Sequence, residues 1–299
     1  MTQVVVIILT LNEEMHIARA IDSVKGLARE VLVVDSGSSD MTVEIAKSKG
    51  ARVLKNDFIN HGVQFNWALR QIEHFDGFVF RLDADEIVSC QLRESLGEAL
   101  SKPAFHLYSG FEIERKYEFC GKLLRYGPFT KNYVTRIFRY GHGISEERWM
   151  DEHISVQGKV QRLRGHLIDC NNKGLKDWFA KHNDYSSKEA LEYFKQKFSS
   201  ALLESRAGLS SMSQRKRFQK YRVYYHLPPF LRCLVLFFMN YFLRQGFRDG
   251  SAGLLFIFLQ SFLYRCMVDA KIVQINLLIA SGKMERSTEN VAEFLGLGI

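Results

Sequence analysis

Two carboxylates stand one residue apart at Asp83 and Asp85, directly after the apolar, aromatic-rich run at positions 78–82. Such a run predicts a buried strand, and charged side chains at its end must lie at the rim of the sheet. Oxygen ligands at a sheet edge suit a hard divalent cation and the phosphates that it carries. The same pattern also arises where a strand leads into an ordinary charged loop, and we expect the following Glu86 to begin a solvated loop.

The elements that must position this pair alternate between strands and helices. Before this pair, strands are predicted at 4–9, 31–34 and 50–54. Helices are predicted at 16–24, 41–48 and 65–73. Asn12 is expected to cap the first helix. The alternation is typical of a parallel sheet with right-handed crossovers, in which ligands bind beyond the carboxyl ends of the strands.

Polar clusters at 10–14, 35–40 and 83–86 follow three of these strands, so we expect them to share one edge of the sheet. The sequence contains no Gly-x-Gly-x-x-Gly or Walker A motif, which argues against a dinucleotide enzyme and against a P-loop phosphotransferase. A bound metal ion, rather than a glycine-rich loop, would then neutralise the phosphate charge.

Four segments in the first third of the chain resemble the family 2 glycosyltransferases, which are inverting enzymes of the GT-A fold. They are Thr10-Leu11-Asn12-Glu13-Glu14, Val33-Val34-Asp35-Ser36-Gly37-Ser38-Ser39-Asp40-Met41-Thr42, Gln64-Phe65-Asn66-Trp67-Ala68-Leu69 and Leu82-Asp83-Ala84-Asp85. Within that family the chain resembles bacterial enzymes that build lipopolysaccharide, capsule or exopolysaccharide. The resemblance implies an α/β chain of the GT-A type, with a Rossmann-like, mostly parallel sheet flanked by helices and a helical, partly apolar C-terminal extension.

The resemblance also implies roles on the nucleotide side of the site. Thr10 and Asn12 would line the nucleotide pocket, with Glu14 nearby. Asp35 would accept a hydrogen bond from the base, which favours the N3–H of uracil and hence a UDP-sugar donor. Gln64 would lie along the donor, although relatives often carry arginine at that position.

On the phosphate side, Asn66 would also lie along the donor. Asp83 would contact the ribose or join the metal site through bound water. Asp85 would hold Mn²⁺ or Mg²⁺ bridging the diphosphate, where the metal acts as a Lewis acid on the leaving nucleoside diphosphate.

An inverting transferase also needs a carboxylate that takes the proton from the acceptor hydroxyl. In relatives an acidic pair or a His-Glu pair at about this distance beyond Asp-x-Asp supplies it, and Asp151-Glu152-His153 matches by position. Glu152 is favoured over Asp151, while His153 would be a third metal ligand or would orient a carboxylate. The alternative is an exposed acidic loop before a strand at 154–156.

Charge divides the chain unevenly. Residues 1–110 carry 11 Lys and Arg against 15 Asp and Glu, a net −4, whereas residues 111–299 carry 30 against 18, a net +12. The basic part therefore favours an anionic partner. Five cysteines without close pairs indicate a reducing compartment, and the absence of a basic, apolar leader makes a secretory signal unexpected.

The last third combines a basic run at 215–222 with two apolar runs at 230–243 and 254–268. At 14 and 15 residues these runs are shorter than the roughly 20 needed to span a bilayer. We expect an apolar hairpin, turning at Gly246, Gly250 and Gly253, that lies on the anionic cytoplasmic face of the inner membrane. The alternative is packing within the chain or in a homodimer; no nucleic acid motif accompanies the basic run.

These patterns predict four regions. The nucleotide-sugar-binding half spans 1–110, the acceptor half with the base 111–172, the basic and apolar helices 173–281, and a polar tail 282–299. The expected activity is that of a metal-dependent hexosyltransferase acting on a hydroxyl of a lipid-linked glycan or a lipopolysaccharide or exopolysaccharide precursor. The rivals are a transferase with a soluble acceptor and a non-catalytic nucleotide-sugar-binding scaffold.

Overall fold

The computed structural model describes residues 4–101, 107–128, 130–146, 152–198 and 224–297. The chain forms two compact units. Unit 1 comprises Met1–Leu124 and Phe129–Asn172, and unit 2 comprises Arg125–Pro128 and Lys173–Ile299. Asp151 and the basic run at 215–222 lie outside the described residues.

Unit 1 is built on a mixed sheet with helices. Its strands are β1 Val4–Thr10, β2 Glu30–Asp35, β3 Arg52–Lys55, β4 Phe78–Asp83, β5 Glu86–Val88, β6 Gly110–Phe119, β7 Lys122–Leu123, β8 Asn132–Arg139, β9 Gly143–Ser145, β10 Ile154–Val156 and β11 Val160–Asp169. Its helices are α1 Ile17–Ser23, α2 Thr42–Ser48, α3 His61–Arg70 and α4 Cys90–Ser101.

The first half of the sheet is parallel, in the order β3-β2-β1-β4. Strand β1 is buried on both faces because helices cover both sides, and this explains its unbroken β-branched run. Its register sets Thr10 beside Asp35 and Leu9 beside Asp83. The prediction that these polar clusters share one sheet edge is confirmed.

The second half of the sheet mixes strand directions. Strand β8 pairs antiparallel with β4 and β6, β11 runs parallel to β6, and the short β5 closes the edge antiparallel to β11. Strands β9 and β10 form a separate two-stranded ribbon. The strand predicted at 154–156 is confirmed as β10.

Two local predictions in unit 1 were wrong. Asn12 does not cap the first helix, because α1 begins only at Ile17 and Asn12 has a left-handed φ of 55°. Glu86 does not begin a solvated loop, because it lies in β5 opposite Asp169 with none of its surface exposed. Arg115 and Arg136, which come from strands distant in sequence, pair with the buried Glu86 carboxylate and so compensate for its desolvation.

Unit 2 is helical. Its helices are α5 Gly174–Phe198, α6 Leu231–Phe238, α7 Gly250–Ile257, α8 Tyr264–Ala280 and α9 Thr288–Phe294. π-Helical turns at Met239–Leu243 and Phe258–Leu263 extend α6 and join α7 to α8, and a 3₁₀ turn at Gly246–Asp249 separates the two apolar segments. The predicted turn is confirmed at Gly246 and Gly250, whereas Gly253 lies inside α7. Helices α5 and α8 share an apolar core with α9.

The predicted length of the second apolar segment was wrong. Its helical path runs continuously from Gly246 to Ala280, which is 35 residues with a mean hydropathy of 1.5 in its most apolar window. By length and composition alone this segment could cross a membrane. The predicted run ended before the charged Asp269, but the helix continues past it because Arg232 pairs with that carboxylate inside unit 2. Arg265, within the predicted run, pairs with Glu189.

Candidate active site

The loops after β1 and β2 are fastened to each other. The Oγ1 of Thr10 lies 3.2 Å from an Asp35 carboxylate oxygen, the Oδ1 of Asn12 accepts the Ser39 N–H at 2.8 Å, and Glu14 accepts the Met41 N–H at 3.0 Å. Asn12 therefore supports the start of the second helical segment rather than the first. These contacts unite the residues predicted to bind the nucleotide in one rim.

Asp35 is nearly buried and its acceptor capacity is in use. One carboxylate oxygen accepts the backbone N–H groups of Gly37 and Ser38, each at 2.9 Å, and the other meets the hydroxyls of Thr10 and Ser38 at 3.2 and 2.5 Å. A carboxylate offers about four acceptor positions. A uracil N3–H would therefore have to displace one of the two hydroxyls.

Gln64 and Asn66 are both buried and bound to other parts of unit 1. The Nε2 of Gln64 donates to the Ser36 hydroxyl at 3.0 Å, and its Oε1 accepts from the Asn56 amide at 2.7 Å. Asn66 exchanges two hydrogen bonds of 2.9 Å with the backbone of Ser145. These amides tie the β2 loop and the β9 ribbon to helix α3.

A buried cluster of arginines surrounds the end of β4. Arg136 lies 2.5 Å from Asp83 and 3.0 Å from Glu86, and Arg115 lies 3.1 Å from Glu86 and 2.6 Å from Asp169. Glu86 also accepts the backbone N–H of Asp83 at 3.1 Å. Glu86, the carboxylate that directly follows the motif, is thus the structural centre of the cluster.

Burial and the nearby charges shift the pKa values of Asp83 and Glu86. Burial acts to raise the pKa of Asp83, but the guanidinium groups of Arg136, Arg81 and Arg115 outweigh it and hold that pKa well below its usual range. For Glu86, burial raises the pKa, and the nearby Asp83 charge adds to that shift against the opposing effect of Arg136. Asp83 is consequently a permanent anion in the physiological range.

Arg81 connects the Asp-x-Asp motif to the predicted base. Its Nη2 lies 2.8 Å from Glu152 and its Nε lies 3.7 Å from Asp83, while its side chain is only 6% exposed. Arg81 and Asp83 are two residues apart on β4 and therefore share a face of the strand. The sequence signal for this role is an arginine inside an otherwise apolar run.

Asp85 differs from its neighbours in the cluster. Among the described residues its only side-chain partner is the Asn171 amide at 3.2 Å, and its backbone oxygen accepts the Cys170 N–H at 2.9 Å. No arginine in the described part of the chain pairs with it, and it is half-buried. Its carboxylate is the one in the motif that is left open to a cation.

The described residues contain no cluster of three or more His, Cys, Asp or Glu side chains that would enclose a metal ion. Mg²⁺ is commonly held by one or two carboxylates together with substrate phosphates rather than by an all-protein cage. A single open carboxylate at Asp85 fits that arrangement. Asp83 fits direct ligation less well because Arg136 and Arg81 already neutralise it.

His153 lies immediately before β10, where its backbone oxygen accepts the Glu146 N–H at 3.0 Å and so joins the β9–β10 ribbon. The preceding residue, Glu152, forms an ion pair with Arg81. The roles of metal ligand for His153 and of base for Asp151 stay predictions.

Sequence reasoning missed His16. This fully buried side chain has its Nδ1 2.6 Å from Glu13, and its Nε2 accepts the backbone N–H of Asn172 at 3.0 Å. Arg19 on α1 also donates to the backbone oxygen of Cys170. Because Asn171 contacts Asp85, these bonds connect the nucleotide loop to the open carboxylate.

Comparison with known proteins identifies the class. The family model for glycosyl transferase family 2 matches residues 5–154, and the chain belongs to that family. Its curled, mixed sheet with flanking helices is the GT-A fold, and the protein is a glycosyltransferase.

Individual relatives include an uncharacterized glycosyltransferase of Rickettsia typhi, which is 29% identical over 66% of this chain and 70% of that protein. The lipopolysaccharide core biosynthesis glycosyltransferase LpsC of Rhizobium meliloti is 29% identical over 61% of this chain and 68% of its own. A solved glucosyl-3-phosphoglycerate synthase of Mycobacterium tuberculosis, with Mn²⁺, UDP and glucosyl-3-phosphoglycerate, is 27% identical over 39% of this chain, with a TM-score of 0.31. The match spans 44% of that structure, too little to compare the two sites.

Proposed function

We propose that this protein is a metal-dependent, inverting glycosyltransferase that moves a sugar from a UDP-linked donor to a hydroxyl of a lipid-linked glycan or lipopolysaccharide precursor. The observation that carries the proposal is the Arg81 bridge, which holds Glu152 at the same sheet edge as the Asp-x-Asp motif. The base that deprotonates the acceptor hydroxyl must lie close to the site that binds the anionic sugar donor, because the sugar is transferred in a single displacement.

On the donor side, the rim formed by Thr10, Asn12, Glu14 and Asp35 receives the nucleoside. Uracil is favoured because a carboxylate accepts from its N3–H, once a hydroxyl of Thr10 or Ser38 gives way. Asp85 would hold the divalent cation, which when bound would supply Lewis-acid stabilisation to the leaving diphosphate.

On the acceptor side, the Glu152 carboxylate takes the proton of the attacking hydroxyl. Arg81 fixes the orientation of that carboxylate beside the acidic motif through a charge-assisted hydrogen bond of 2.8 Å. Direct attack on the anomeric carbon from the face opposite the diphosphate inverts the configuration.

The acceptor class rests on different support. LpsC, named for lipopolysaccharide core biosynthesis, is a relative over most of its length, and unit 2 carries a large exposed apolar surface. A lipid-linked acceptor would be met at the cytoplasmic face of the inner membrane, where we place the protein.

Titration calorimetry with UDP and Mn²⁺ tests the donor site. We expect binding by the wild-type chain, loss of at least tenfold in affinity in Asp85→Ala and in EDTA, and wild-type affinity in Asp76→Ala. Asp76 serves as the matched control because its exposed carboxylate precedes β4 at the opposite edge of the sheet. Absence of UDP binding, or binding indifferent to Asp85→Ala, would overturn the assignment and favour the scaffold interpretation.

A further inference from the structure

Helix α6 carries an apolar stripe on its outer side. Leu231, Leu234, Val235, Phe238 and Phe242 recur at helical spacing and are each between 42% and 53% exposed. A stripe of this kind is normally buried against another element. The opposite side of the same helix, at Arg232 and Cys233, is buried in unit 2.

The neighbouring helix extends this exposed surface. Phe237 meets Phe258 and Phe262 edge-on at 6.4 Å, and Tyr241 meets Phe247 at 6.2 Å. Phe247, Leu254 and Phe258 are between 39% and 47% exposed. We call the α6 stripe together with these three residues the apolar patch; exposed apolar side chains grouped in this way mark surfaces that bind a protein or a membrane.

The exposed charged side chains of the stretch that carries the apolar patch have one sign. Between Tyr224 and Leu263 the sequence contains a single acid, Asp249, which is buried and accepts the backbone N–H groups of Arg125 and Tyr126 at 2.9 Å. Arg244 and Arg248 are exposed, and Arg248 lies 4.4 Å over the ring of Tyr126. An apolar surface with cations and no exposed acid complements an anionic lipid interface.

The long helical segment is poorly suited to crossing a bilayer. Only 15 residues separate Asp249 from Arg265, and at 1.5 Å per residue they cover about 23 Å, less than the roughly 30 Å of hydrocarbon. Beyond them, Arg265 pairs with Glu189 of α5 at 2.7 Å and Asp269 pairs with Arg232 of α6. These pairs assign α8 to the interior of unit 2.

We infer that unit 2 binds anionic membranes through the apolar patch, with α6 and α7 lying in the plane of the interface and Arg244 and Arg248 on lipid phosphates. A second copy of the chain fits this surface less well, because a symmetric dimer would bring the arginines of both copies together without an exposed acid from this stretch to pair with them. The inference concerns unit 2 and does not depend on the donor chemistry.

Flotation of the full chain with vesicles tests the inference. We expect the wild-type protein to float with phosphatidylcholine vesicles that contain phosphatidylglycerol and to float several-fold less with phosphatidylcholine alone. Phe238→Gln/Phe242→Gln should reduce flotation at least tenfold, whereas Leu277→Gln, at a 65% exposed site on α8, should float like the wild type. Arg244→Gln/Arg248→Gln should lose the preference for phosphatidylglycerol.

Two further measurements keep the outcomes distinct. UDP and Mn²⁺ binding should be unchanged in the patch variants, which separates loss of membrane binding from misfolding and from failure of the donor site. Trypsin added outside sealed vesicles should still cut after the exposed Lys283 of bound protein.

Three results would overturn the inference. They are wild-type protein that stays at the bottom of the gradient, protection of Lys283 as expected for a crossing helix, and a dimer in analytical ultracentrifugation that the Phe238→Gln/Phe242→Gln substitutions abolish. The last of these would assign the apolar patch to a second copy of the chain.

Discussion

Both units bury charged side chains, but they use them differently. Unit 1 gathers Arg81, Arg115 and Arg136 at one edge of its sheet and leaves the Asp85 carboxylate open beside them. Unit 2 uses the Arg232–Asp269 pair to fasten α6 against α8. The first arrangement surrounds the proposed reaction site, whereas the second holds helices in place while apolar side chains face outward.

This difference suggests how experiments can distinguish charged residues that act in catalysis from charged residues that stabilise the fold. A substitution in the unit 1 cluster that acts through chemistry should change turnover with little change in stability. A substitution in the unit 2 pair should change stability first, because a lone buried charge has no compensation.

The largest expected effect follows Glu152→Gln. We expect kcat to fall by about 10²–10⁴-fold because the proton of the acceptor loses its base, while UDP and Mn²⁺ affinity and the melting temperature stay near wild type. Transfer assays and calorimetry measure the two quantities. Full turnover would reassign the base, and Asp151→Asn would then be the variant to carry the loss.

In unit 2, Asp269→Asn should lower the free energy of unfolding by about 3–5 kcal/mol, because Arg232 is left buried without its counter-charge. The double variant Arg232→Met/Asp269→Leu should recover most of that loss, since two apolar side chains bury no charge. Urea denaturation followed by circular dichroism gives the comparison. Equal stability of the single variant and wild type would contradict a structural role for the pair.

A smaller effect, on the affinity for UDP and Mn²⁺, is expected from substitution of His16. This residue joins the nucleotide loop to the segment that carries Asn171. His16→Phe keeps the ring but leaves the Asn172 N–H without an acceptor, at a cost of about 1–3 kcal/mol. We expect UDP and Mn²⁺ affinity to fall more in His16→Phe than in His16→Asn, whose amide can accept that N–H. Equal calorimetric affinities would show that this link does not support the site.

The smallest effect concerns pH. Because Asp83 has a depressed native pKa, its stabilisation is fully present above the unfolded value of about 3.9 and is lost as the pH falls toward the native value. The stability difference between wild type and Asp83→Asn should therefore shrink from about pH 7 to about pH 3. Asp76→Asn is the control, and a difference that is independent of pH would argue against the depressed pKa.

Much of the parallel half could be predicted from local patterns. The β-branched run of β1, the polar residues after it and the Asp83–Asp85 spacing each lie within a few residues of one another, so period and turn chemistry were enough to place them at one edge. The glycine turn before Gly250 and the strand at 154–156 were accessible for the same reason.

The burial of Glu86 could not be predicted from local patterns. Its partners Arg115 and Arg136 come from β6 and β8, which lie between β4 and β5 in the strand order β4-β8-β6-β11-β5 although both follow β5 in the sequence. The Arg81–Glu152 contact spans 71 positions of sequence. No local pattern encodes which of several acids such an arginine will meet.

The amino-acid sequence by itself determined the alternation of strands and helices in the first third of the chain, the family motifs and the apolar character of the C-terminal helices, because these depend on residue type and short spacing. Tertiary structure decided which carboxylates are neutralised and which one stays open, and which apolar faces are buried and which are exposed. Those outcomes depend on long-range packing, where desolvation makes every buried charge require a partner from a distant part of the chain.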